Sequence, residues 1–480
     1  MTPMAILAGL EAQGVQAKSL CADSRVVRPG DVFVAMPGHR TDGRTFIRDA
    51  VARGASAVLH EAGVDVTVSV PAIAVPGLAA LSGEIAHLVY GRPSEQLWMA
   101  GVTGTNGKTS ISQWIAQAMG LFECPCGVIG TLGSGFPGKL IENVNTTPDA
   151  ISVHRQLAAF VDQGAAACAM EVSSIGVEEG RINGVHFDVA VFTNLTQDHL
   201  DYHGSMAAYA AAKERLFAWT GLRAAVINLD DSFGAELAEK LAGRMRTIGY
   251  TLDAKVSRGE TLAATDLAMT ASGLAFTLND IRIEAPVVGR FNASNLLAVI
   301  GALLAGDESL ADIAAALPRI VPPPGRMQAV GGAGKPLIVI DYAHTPDALE
   351  KALTTLRESA TARGGKLICV FGCGGERDAG KRPKMGAIAE RLADRVLLTS
   401  DNPRSEDPVA ILAGIAAGMK SKPMVEPDRA LTIRIAVAEA NVRDVVLLAG
   451  KGHESYQDDA HGRQPFSDLE QAQRALERYK

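Results

Sequence analysis

The chain has 480 residues, of which 47% are apolar and 21% are charged, so it is too long for one hydrophobic core and too apolar to be largely disordered. The formal net charge is −7 and Lys and Arg form no dense block, which excludes a broad surface for nucleic acid or for anionic membranes. No apolar run approaches the roughly 18 residues of a membrane span, and the N-terminus lacks the basic start of a secretory signal. We therefore expect a folded cytoplasmic protein of several domains.

Two stretches rich in glycine and proline divide the chain. They are Gly-Arg-Pro-Ser at residues 91–94 and Pro-Pro-Pro-Gly at residues 322–325. Such clusters favour loops over helices and strands. They predict three domains, at residues 1–92, 93–324 and 325–480.

Short apolar runs alternate with helical patterns in the second and third of these segments. We predict strands at 97–102, 165–170, 189–192, 224–228, 337–340, 367–371, 396–398 and 445–449. Nearly continuous apolar strands separated by helices are typical of parallel sheets covered on both faces. The predicted fold class is α/β, with a small N-terminal α/β domain, a central domain built on a mostly parallel sheet, and a C-terminal Rossmann-like domain.

A candidate phosphate loop occupies residues 101–109, Gly-Val-Thr-Gly-Thr-Asn-Gly-Lys-Thr, between a predicted strand and a predicted helix. Glycines let backbone N–H groups approach phosphate oxygens, and a helix N-terminus favours negative charge. Lys108 can then reach the β- and γ-phosphates of ATP, and Thr109 can ligate Mg2+. The common pattern has glycine five residues before Gly107, where this chain has Val102, so a simple glycine-rich turn is the alternative.

Further groups that could serve a metal follow the next predicted strands. The second strand leads into Glu171, and the third leads toward His199. Carboxylate oxygen suits Mg2+, whereas a histidine ligand is unusual for that ion. Lys213 lies in an Ala-rich segment beside charged neighbours, and its local sequence is that of an ordinary exposed helical lysine.

Each predicted strand of the third segment runs directly into a polar loop. The loops comprise residues 341–344, 372–377, 400–404 and 450–454. In an open parallel sheet, ligands bind beyond the carboxyl ends of the strands. The four loops therefore predict one ligand site, and turns formed by Gly, Asp and Asn alone are the alternative interpretation.

Five motifs, in this order, resemble those of the Mur ligases. They are Thr-Gly-Thr-Asn-Gly-Lys-Thr at 103–109, Glu-Val-Ser-Ser at 171–174, Asn-Leu-Thr-Gln-Asp-His-Leu-Asp-Tyr-His at 194–203, Asn-Ala-Ser-Asn at 292–295 and Asp-Tyr-Ala-His at 341–344. Asp-Asn-Pro-Arg at 401–404 resembles the signature of the members that add diaminopimelate. The resemblance implies that ATP, with Mg2+, phosphorylates a carboxylate of UDP-N-acetylmuramoyl-L-alanyl-D-glutamate, and that the amine of meso-2,6-diaminopimelate attacks the acyl phosphate during peptidoglycan precursor synthesis.

The resemblance also implies roles at the ATP end of the reaction. Lys108, His199 and Lys213 are expected to be catalytic, and Lys213 matches the lysine that becomes carbamylated in this family. The expected metal ligands are Thr109, Glu171, His199 and carbamylated Lys213. The expected ATP site comprises Gly104, Thr105, Asn106, Gly107, Lys108, Thr109, Asn295, Arg326 and Asp341.

The same resemblance implies where the other two substrates bind. The sugar nucleotide is expected at Ser24, His39, Arg40, Thr41, Asn145, Thr146, Thr147, Ser173, Glu179 and Arg181. Glu179 departs from the family pattern, which has glutamine there, and an ionised acid repels anionic substrate groups unless it turns away. Diaminopimelate is expected at Arg377, Asp401, Asn402, Pro403, Arg404, Gly450 and Glu454.

Three alternative functions are compatible with part of the pattern. Arg404 favours diaminopimelate over L-lysine, because lysine lacks the distal carboxylate that this guanidinium would grip, but an L-lysine-adding Mur ligase is the nearest alternative. Folylpolyglutamate synthases share the phosphate loop and the ligase chemistry. An ATP-binding scaffold is the non-enzymatic alternative. We expect a monomer without nucleic-acid partners.

Overall fold

The computed structural model describes residues 1–38, 41–256, 259–270 and 273–479. Contacts between Cα atoms divide the chain into two units. The first unit comprises residues 1–263 and 297–313, and the second comprises residues 264–296 and 314–480. Neither unit is a continuous stretch of chain.

The N-terminal part of the first unit is a four-stranded parallel sheet in the order β1-β2-β3-β4. Its strands are β1 (Leu20–Cys21), β2 (Val32–Ala35), β3 (Ala57–Glu61) and β4 (Ala72–Val75), and its helices are α1 (Pro3–Ala12), α2 (Ile47–Ala52) and α3 (Leu78–Val89). Apolar side chains on both faces of the sheet are buried against these helices. At the end of β3, Glu61 accepts hydrogen bonds from the first backbone N–H groups of α3, which fixes the start of that helix.

The larger part of the first unit is a nine-stranded sheet in the order β13-β12-β11-β10-β5-β9-β6-β7-β8. Its strands are β5 (Trp98–Thr103), β6 (Cys126–Gly130), β7 (Gly133–Phe136), β8 (Lys139–Ile141), β9 (Ala167–Glu171), β10 (Val189–Phe192), β11 (Ala224–Asn228), β12 (Arg246–Thr251) and β13 (Glu260–Ala263). Only β7 and β8 run antiparallel to their neighbours. The helices of this part are α4 (Lys108–Leu121), α5 (Ala150–Asp162), α6 (Ser174–Glu178), α7 (Leu200–His203), α8 (Met206–Glu214) and α9 (Ser232–Leu241).

Helix α10 (Arg290–Ala305) begins in the second unit and ends in the first. Its later part packs on the nine-stranded sheet so closely that a methyl group at Gly301 would lie 2.6 Å from Val226 on β11. Helix α11 (Leu310–Ala316) follows it.

The second unit contains a three-stranded antiparallel sheet, a six-stranded sheet and a hairpin. Their strands are β14 (Thr265–Thr270), β15 (Gly273–Leu278) and β16 (Ile281–Ala285), then β17 (Gln328–Gly331), β18 (Leu337–Asp341), β19 (Leu367–Phe371), β20 (Arg395–Leu398), β21 (Met424–Val425) and β22 (Val445–Ala449), and finally β23 (Tyr456–Asp459) and β24 (Gly462–Pro465). The order β17-β18-β22-β19-β20-β21 is parallel except for β17. Helices α12 (Pro346–Arg363), α13 (Lys381–Leu392), α14 (Pro408–Ala416), α15 (Arg429–Glu439) and α16 (Asp468–Glu477) cover both faces.

The predicted α/β class with mostly parallel sheets is confirmed. Four predicted strands match β10, β11, β19 and β22 residue for residue, and the other four begin or end one or two residues away from the prediction. The domain boundaries at 92 and 324 stay predictions, because the division by contacts falls elsewhere. Residues 1–92 share a unit with most of the second predicted domain, whereas residues 264–296 and 314–324 of that domain belong to the other unit. Among the helices of the described residues, none is both long and apolar enough to cross a membrane.

Candidate active site

The candidate phosphate loop lies between β5 and α4, as predicted. Gly104 and Gly107 have positive φ angles of 142° and 90°, which only glycine adopts without strain. A side chain at Gly104 would collide with Thr193, whose hydroxyl donates to the carbonyl of Asn106 at 2.6 Å. Lys108 folds back over the loop, and its Nζ donates to the carbonyl oxygens of Gly104 and Thr105 at 2.9 Å each.

The segment after β10 braces this loop from one side. Thr105 N donates to the carbonyl of Asn194 at 2.8 Å, and Asn106 N donates to the Asn194 side chain at 3.0 Å. Thr196 N donates to the Thr105 hydroxyl at 3.0 Å. The start of the motif at 194–203 therefore fixes the conformation of the phosphate loop.

Lys213 is buried directly beneath the phosphate loop, whereas its local sequence indicated an exposed lysine. Its Nζ donates to the Gly104 carbonyl at 2.9 Å, so one carbonyl receives hydrogen bonds from both Lys213 and Lys108. Nζ also lies 4.3 Å from the centre of the Tyr209 ring. Burial, reinforced by the positive charge of Lys108, lowers the pKa of Lys213 to about 6, so its amine is mainly neutral at pH 7.

Glu171, at the end of β9, is buried and hydrogen-bonded on both carboxylate oxygens. Oε2 accepts from the Thr109 hydroxyl at 3.1 Å and the Thr131 hydroxyl at 3.0 Å, and Oε1 accepts from Thr131 N at 2.9 Å. The structure thus brings together two of the predicted metal ligands, Thr109 and Glu171. These oxygens are hard donors of the kind that Mg2+ prefers.

His199 lies at the start of α7 with a positive φ of 51°. Its Nε2 is 3.5 Å from an oxygen of Asp198, and its ring makes an edge contact with the ring of Tyr209. Tyr209 also carries the ring over which Lys213 sits. His199 and Lys213 are therefore joined through one shared neighbour.

A continuous network links Glu171 to the predicted sugar-nucleotide residues. The Thr147 hydroxyl donates to the Glu171 carbonyl at 2.9 Å and accepts from Ser173 N at 3.0 Å. Arg181 Nη1 donates to the Thr147 carbonyl at 2.9 Å, and its Nε donates to Glu179 at 2.8 Å. The Arg181 guanidinium therefore offsets the negative charge of Glu179.

The other residues of this expected track differ in their surroundings. The Thr146 hydroxyl lies 3.0 Å from the Thr131 hydroxyl, next to Glu171, whereas Asn145 is exposed. Ser24 and Thr41 line one cavity of about 790 Å³ in the N-terminal sheet region, where Asp23 accepts from Arg25 N and caps the turn that carries Ser24. His39 and Arg40 lie outside the described residues.

The four polar loops of the second unit meet around one cavity of about 640 Å³. Its lining includes six of the seven residues predicted for the amino acid, namely Arg377, Asp401, Asn402, Arg404, Gly450 and Glu454. Pro403 is the exception, since its ring is not part of the described lining and its carbonyl packs against Gly375. Gly450 is required there, because a side chain at its φ of 113° would collide with Asp401.

Charged groups of both signs surround this cavity. The Arg404 Nη1 donates to the Gly375 carbonyl at 2.6 Å, and its Nε is 3.8 Å from Asp458. Arg377 is exposed and makes no hydrogen bond or ion pair with any residue that the structure describes. Glu454 contributes a carboxylate to the lining of the same cavity. The arrangement suits a ligand that carries both carboxylates and ammonium groups.

The remaining predicted ATP residues lie in the second unit. The carboxylate of Asp341 accepts from Met327 N and Ala343 N at 2.9 Å each, and burial raises its pKa against the lowering effect of these bonds and of Arg326. The Arg326 guanidinium lies 5.5 Å from the Tyr342 ring, and its buried Nε has no hydrogen-bond partner among the described residues. Asn295 is buried and donates to Asn292 at 2.9 Å.

Sequence reasoning missed several residues that shape these sites. Thr131 follows β6 and carries no motif, so only the structure reveals its contact with Glu171. Lys381, Lys384, Tyr456 and Arg463 also line the cavity of the second unit. Tyr456 and Arg463 belong to the hairpin β23–β24, which directly follows the fourth polar loop. This position next to a predicted site loop is the sequence feature that could have indicated them.

Comparison with known protein families gives matches along most of the chain. The model of the Mur ligase family catalytic domain matches residues 16–90, that of the Mur ligase middle domain matches 102–303, and that of the Mur ligase glutamate ligase domain matches 325–452. A UDP-N-acetylmuramoyl-L-alanyl-D-glutamate–2,6-diaminopimelate ligase of Pseudomonas aeruginosa is 53% identical, over 96% of this chain and 95% of its own length. An enzyme of the same name from Chromobacterium violaceum is 52% identical, over 97% and 96%.

Solved structures give the same grouping. A structure of a UDP-N-acetylmuramoyl-L-alanyl-D-glutamate–2,6-diaminopimelate ligase has a TM-score of 0.74 at 35% identity and covers 96% of this chain and 95% of that one. A folylpolyglutamate synthase of Mycobacterium tuberculosis has a TM-score of 0.60 at 19% identity and covers 78% of this chain and 92% of its own. At that identity the second likeness shows the fold alone.

Proposed function

Because the chain belongs to the Mur ligase family, we propose that it is an ATP-dependent ligase that joins meso-2,6-diaminopimelate to UDP-N-acetylmuramoyl-L-alanyl-D-glutamate. The observation that carries this proposal is the mixed-charge cavity at the four strand ends, which is found in a chain 53% identical to a ligase of that name. The product is a cytoplasmic precursor of peptidoglycan. The enzyme acts as a monomer of three domains, with boundaries near residues 92 and 324.

The chemistry requires activation of a substrate carboxylate, because carboxylate oxygen is a poor leaving group. A carboxylate oxygen forms a bond to the γ-phosphorus of ATP as the bond to ADP breaks. The acceptor amine then attacks the acyl carbon, inorganic phosphate leaves, and the nitrogen loses a proton. Positioning and neutralisation of charge supply most of the rate enhancement, since the groups that meet in the first step are both anionic.

The residues of the phosphate-loop region fit ATP and Mg2+. Thr109 and Glu171 offer oxygen donors 3.1 Å apart for the metal, and His199 is assigned as a further ligand. Bound Mg2+ would neutralise phosphate charge. Lys108 exchanges the two loop carbonyls for phosphate oxygens when the nucleotide binds. Backbone N–H groups at the N-terminus of α4, which begins at Lys108, hold the phosphates from the other side.

Lys213 is chemically suited to carbamylation. A neutral amine attacks carbon dioxide, whereas an ammonium has no free electron pair, and burial keeps the pKa of Lys213 at about 6. Addition of carbon dioxide with loss of a proton converts the amine into an anionic carbamate. This carbamate would give the metal site a further pair of oxygen ligands beneath the phosphate loop.

The second-unit cavity is assigned to the acceptor amino acid. Arg404 and Arg377 bind carboxylates of diaminopimelate, and Glu454 accepts from its distal ammonium. The sugar nucleotide is assigned to Ser24, Thr41 and the network that joins Thr147, Ser173 and Arg181. The Arg181 pair with Glu179 explains how an acid is tolerated there.

A phosphate-release assay tests the proposal. Purified protein receives ATP, Mg2+ and UDP-N-acetylmuramoyl-L-alanyl-D-glutamate, with meso-diaminopimelate, with L-lysine or with no amino acid. We expect release only with an amino acid and a much higher kcat/KM for diaminopimelate. Equal use of L-lysine would indicate the lysine-adding alternative. Release without an amino acid, or no release at all, would contradict a ligase.

A further inference from the structure

One buried lysine beside the acceptor cavity has no place in the assignments above. Lys451 follows β22, and its side chain is 0% exposed. It is not part of the cavity lining, although its neighbours Gly450 and Glu454 are. A fully buried ammonium is costly unless it is paired and hydrogen-bonded, so its partners indicate its purpose.

Lys451 donates hydrogen bonds to two residues of the cavity lining, which are also hydrogen-bonded to each other. Its Nζ donates to Asn402 Oδ1 at 2.9 Å and to Glu454 Oε2 at 3.0 Å. Asn402 Nδ2 donates to the same Glu454 Oε2 at 2.8 Å. The orientation of the Asn402 amide is fixed too, because its Oδ1 also accepts from Asp458 N at 3.0 Å. Two donors thus hold one oxygen of the Glu454 carboxylate in place.

The other oxygen of Glu454, Oε1, accepts no hydrogen bond from any part of the chain that the structure describes, and the Glu454 side chain is 16% exposed where it lines the cavity. A carboxylate held through one oxygen presents the other in a single direction. Asp401 lines the same cavity. Glu454 and Asp401 are two carboxylates of this lining that suit a substrate ammonium, and cations of the same lining, among them Arg377 and Arg404, suit its carboxylates.

The backbone beneath this network is held just as firmly. Arg429 and Asp468 form an ion pair at 2.6 Å with both side chains 0% exposed. Arg429 also donates to the carbonyls of Ser400 at 3.3 Å and Ala449 at 3.0 Å. These carbonyls directly precede Asp401 and Gly450, so the two loops that meet in the network start from fixed points.

We propose that Lys451 is a positioning residue for the acceptor amino acid: it fixes the Glu454 carboxylate so that Oε1 receives an ammonium group of the substrate. The proposal rests on the proposed function and extends it to a residue that does not touch the substrate. A role in stability alone is the competing explanation. The two explanations differ in their effect on the KM for the amino acid.

The test compares K451M with the control K335M, which removes the hydrogen bond of a half-buried lysine in the same unit. Lys335 lies in the same unit and donates to the carbonyl of Leu476 at 2.7 Å, away from the cavity. We expect K451M to raise the KM for diaminopimelate by about tenfold or more, with the KM values for ATP and the sugar nucleotide changed less than about twofold. K335M should leave all three KM values unchanged. Equal KM values for K451M and K335M would overturn the proposal.

A double-mutant cycle shows whether Lys451 acts through Glu454. E454Q should raise the KM for diaminopimelate, and adding K451M to it should raise the KM little further, whereas multiplied effects would contradict the proposed route. If K451M does not fold, K451Q serves instead. Its amide nitrogen keeps N–H donors, so K451Q should give a smaller rise in KM than E454Q. If wild-type protein does not use diaminopimelate, the proposed function fails, and the result is distinct from a failure confined to Lys451.

Discussion

Replacement of Lys213 by methionine should make the protein more stable while it removes ligase activity. Methionine is similar in length, has no charge, and suits a site that is buried. The usual lysine pKa of 10.5 is lowered to about 6 in the folded protein. Between these values the unfolded chain binds a proton that the folded chain does not bind, so the free energy of unfolding of the wild type rises as pH rises.

The size of the effect follows from the same two pKa values. For each pH unit below 10.5, the free energy of unfolding of the wild type decreases by about 1.4 kcal/mol. The decrease amounts to about 5 kcal/mol at pH 7. K213M also loses the hydrogen bond from Lys213 to Gly104, which reduces its gain in stability by about 1 kcal/mol. K213M should therefore be more stable than the wild type by about 4 kcal/mol at pH 7 and by about 1 kcal/mol at pH 9.

Urea unfolding at pH 7, 8 and 9 in buffers free of carbon dioxide measures this difference. The three tryptophans, Trp98, Trp114 and Trp219, all lie in the first unit with Lys213, so their fluorescence reports on the relevant part of the chain. K240M is the control, because Lys240 is exposed, where it pairs with Glu214 and lies 5.9 Å from the centre of the Phe233 ring. A K213M protein that is less stable than the wild type at pH 7, or a difference that does not shrink toward pH 9, would refute the reasoning.

Three further results are expected. R404A should raise the KM for diaminopimelate by about tenfold or more, as measured by phosphate release, while the KM for ATP changes less than about twofold. An equal change in both KM values would exclude the role assigned to Arg404. E171Q should lower kcat by about 100-fold and raise the Mg2+ concentration at half-maximal rate, and an unchanged Mg2+ titration would remove Glu171 from the metal site. Burial lowers the pKa of His154 from 6.5 to about 4, so the free energy of unfolding should decrease by up to about 3 kcal/mol as pH falls from 6.5 to 4, and urea unfolding of H154Q should show a weaker dependence over that range.

The sequence predicts the features that depend on local order along the chain. The phosphate loop is predictable because a strand, glycines and a helix start follow one another within about ten residues. The acceptor cavity is predictable because parallel strands place their carboxyl ends at one edge, which brings Arg377, Arg404 and Glu454 together from three separate loops.

Features that depend on where the fold places and orients a side chain escape such reasoning. Lys213 looks exposed beside its sequence neighbours, and only its hydrogen bond to Gly104, 109 positions away, reveals a buried amine. An ionised Glu179 would repel anionic substrate groups, and the sequence does not show that the Arg181 side chain is oriented to bond to it. Lys451 belongs to a predicted loop, but its burial and its two partners appear only once the loops are folded together.

The path of α10 across the two units has a consequence for biosynthesis. The part of α10 that packs on Val226 is translated after the three-stranded sheet β14–β16. The nine-stranded sheet therefore lacks this helix on one face until the ribosome has passed residue 305. A nascent chain that stops at residue 263 would expose apolar surface of β11, and such surface promotes aggregation. An expression fragment of the first unit would therefore have to extend through residue 313, and would carry residues 264–296 of the second unit with it.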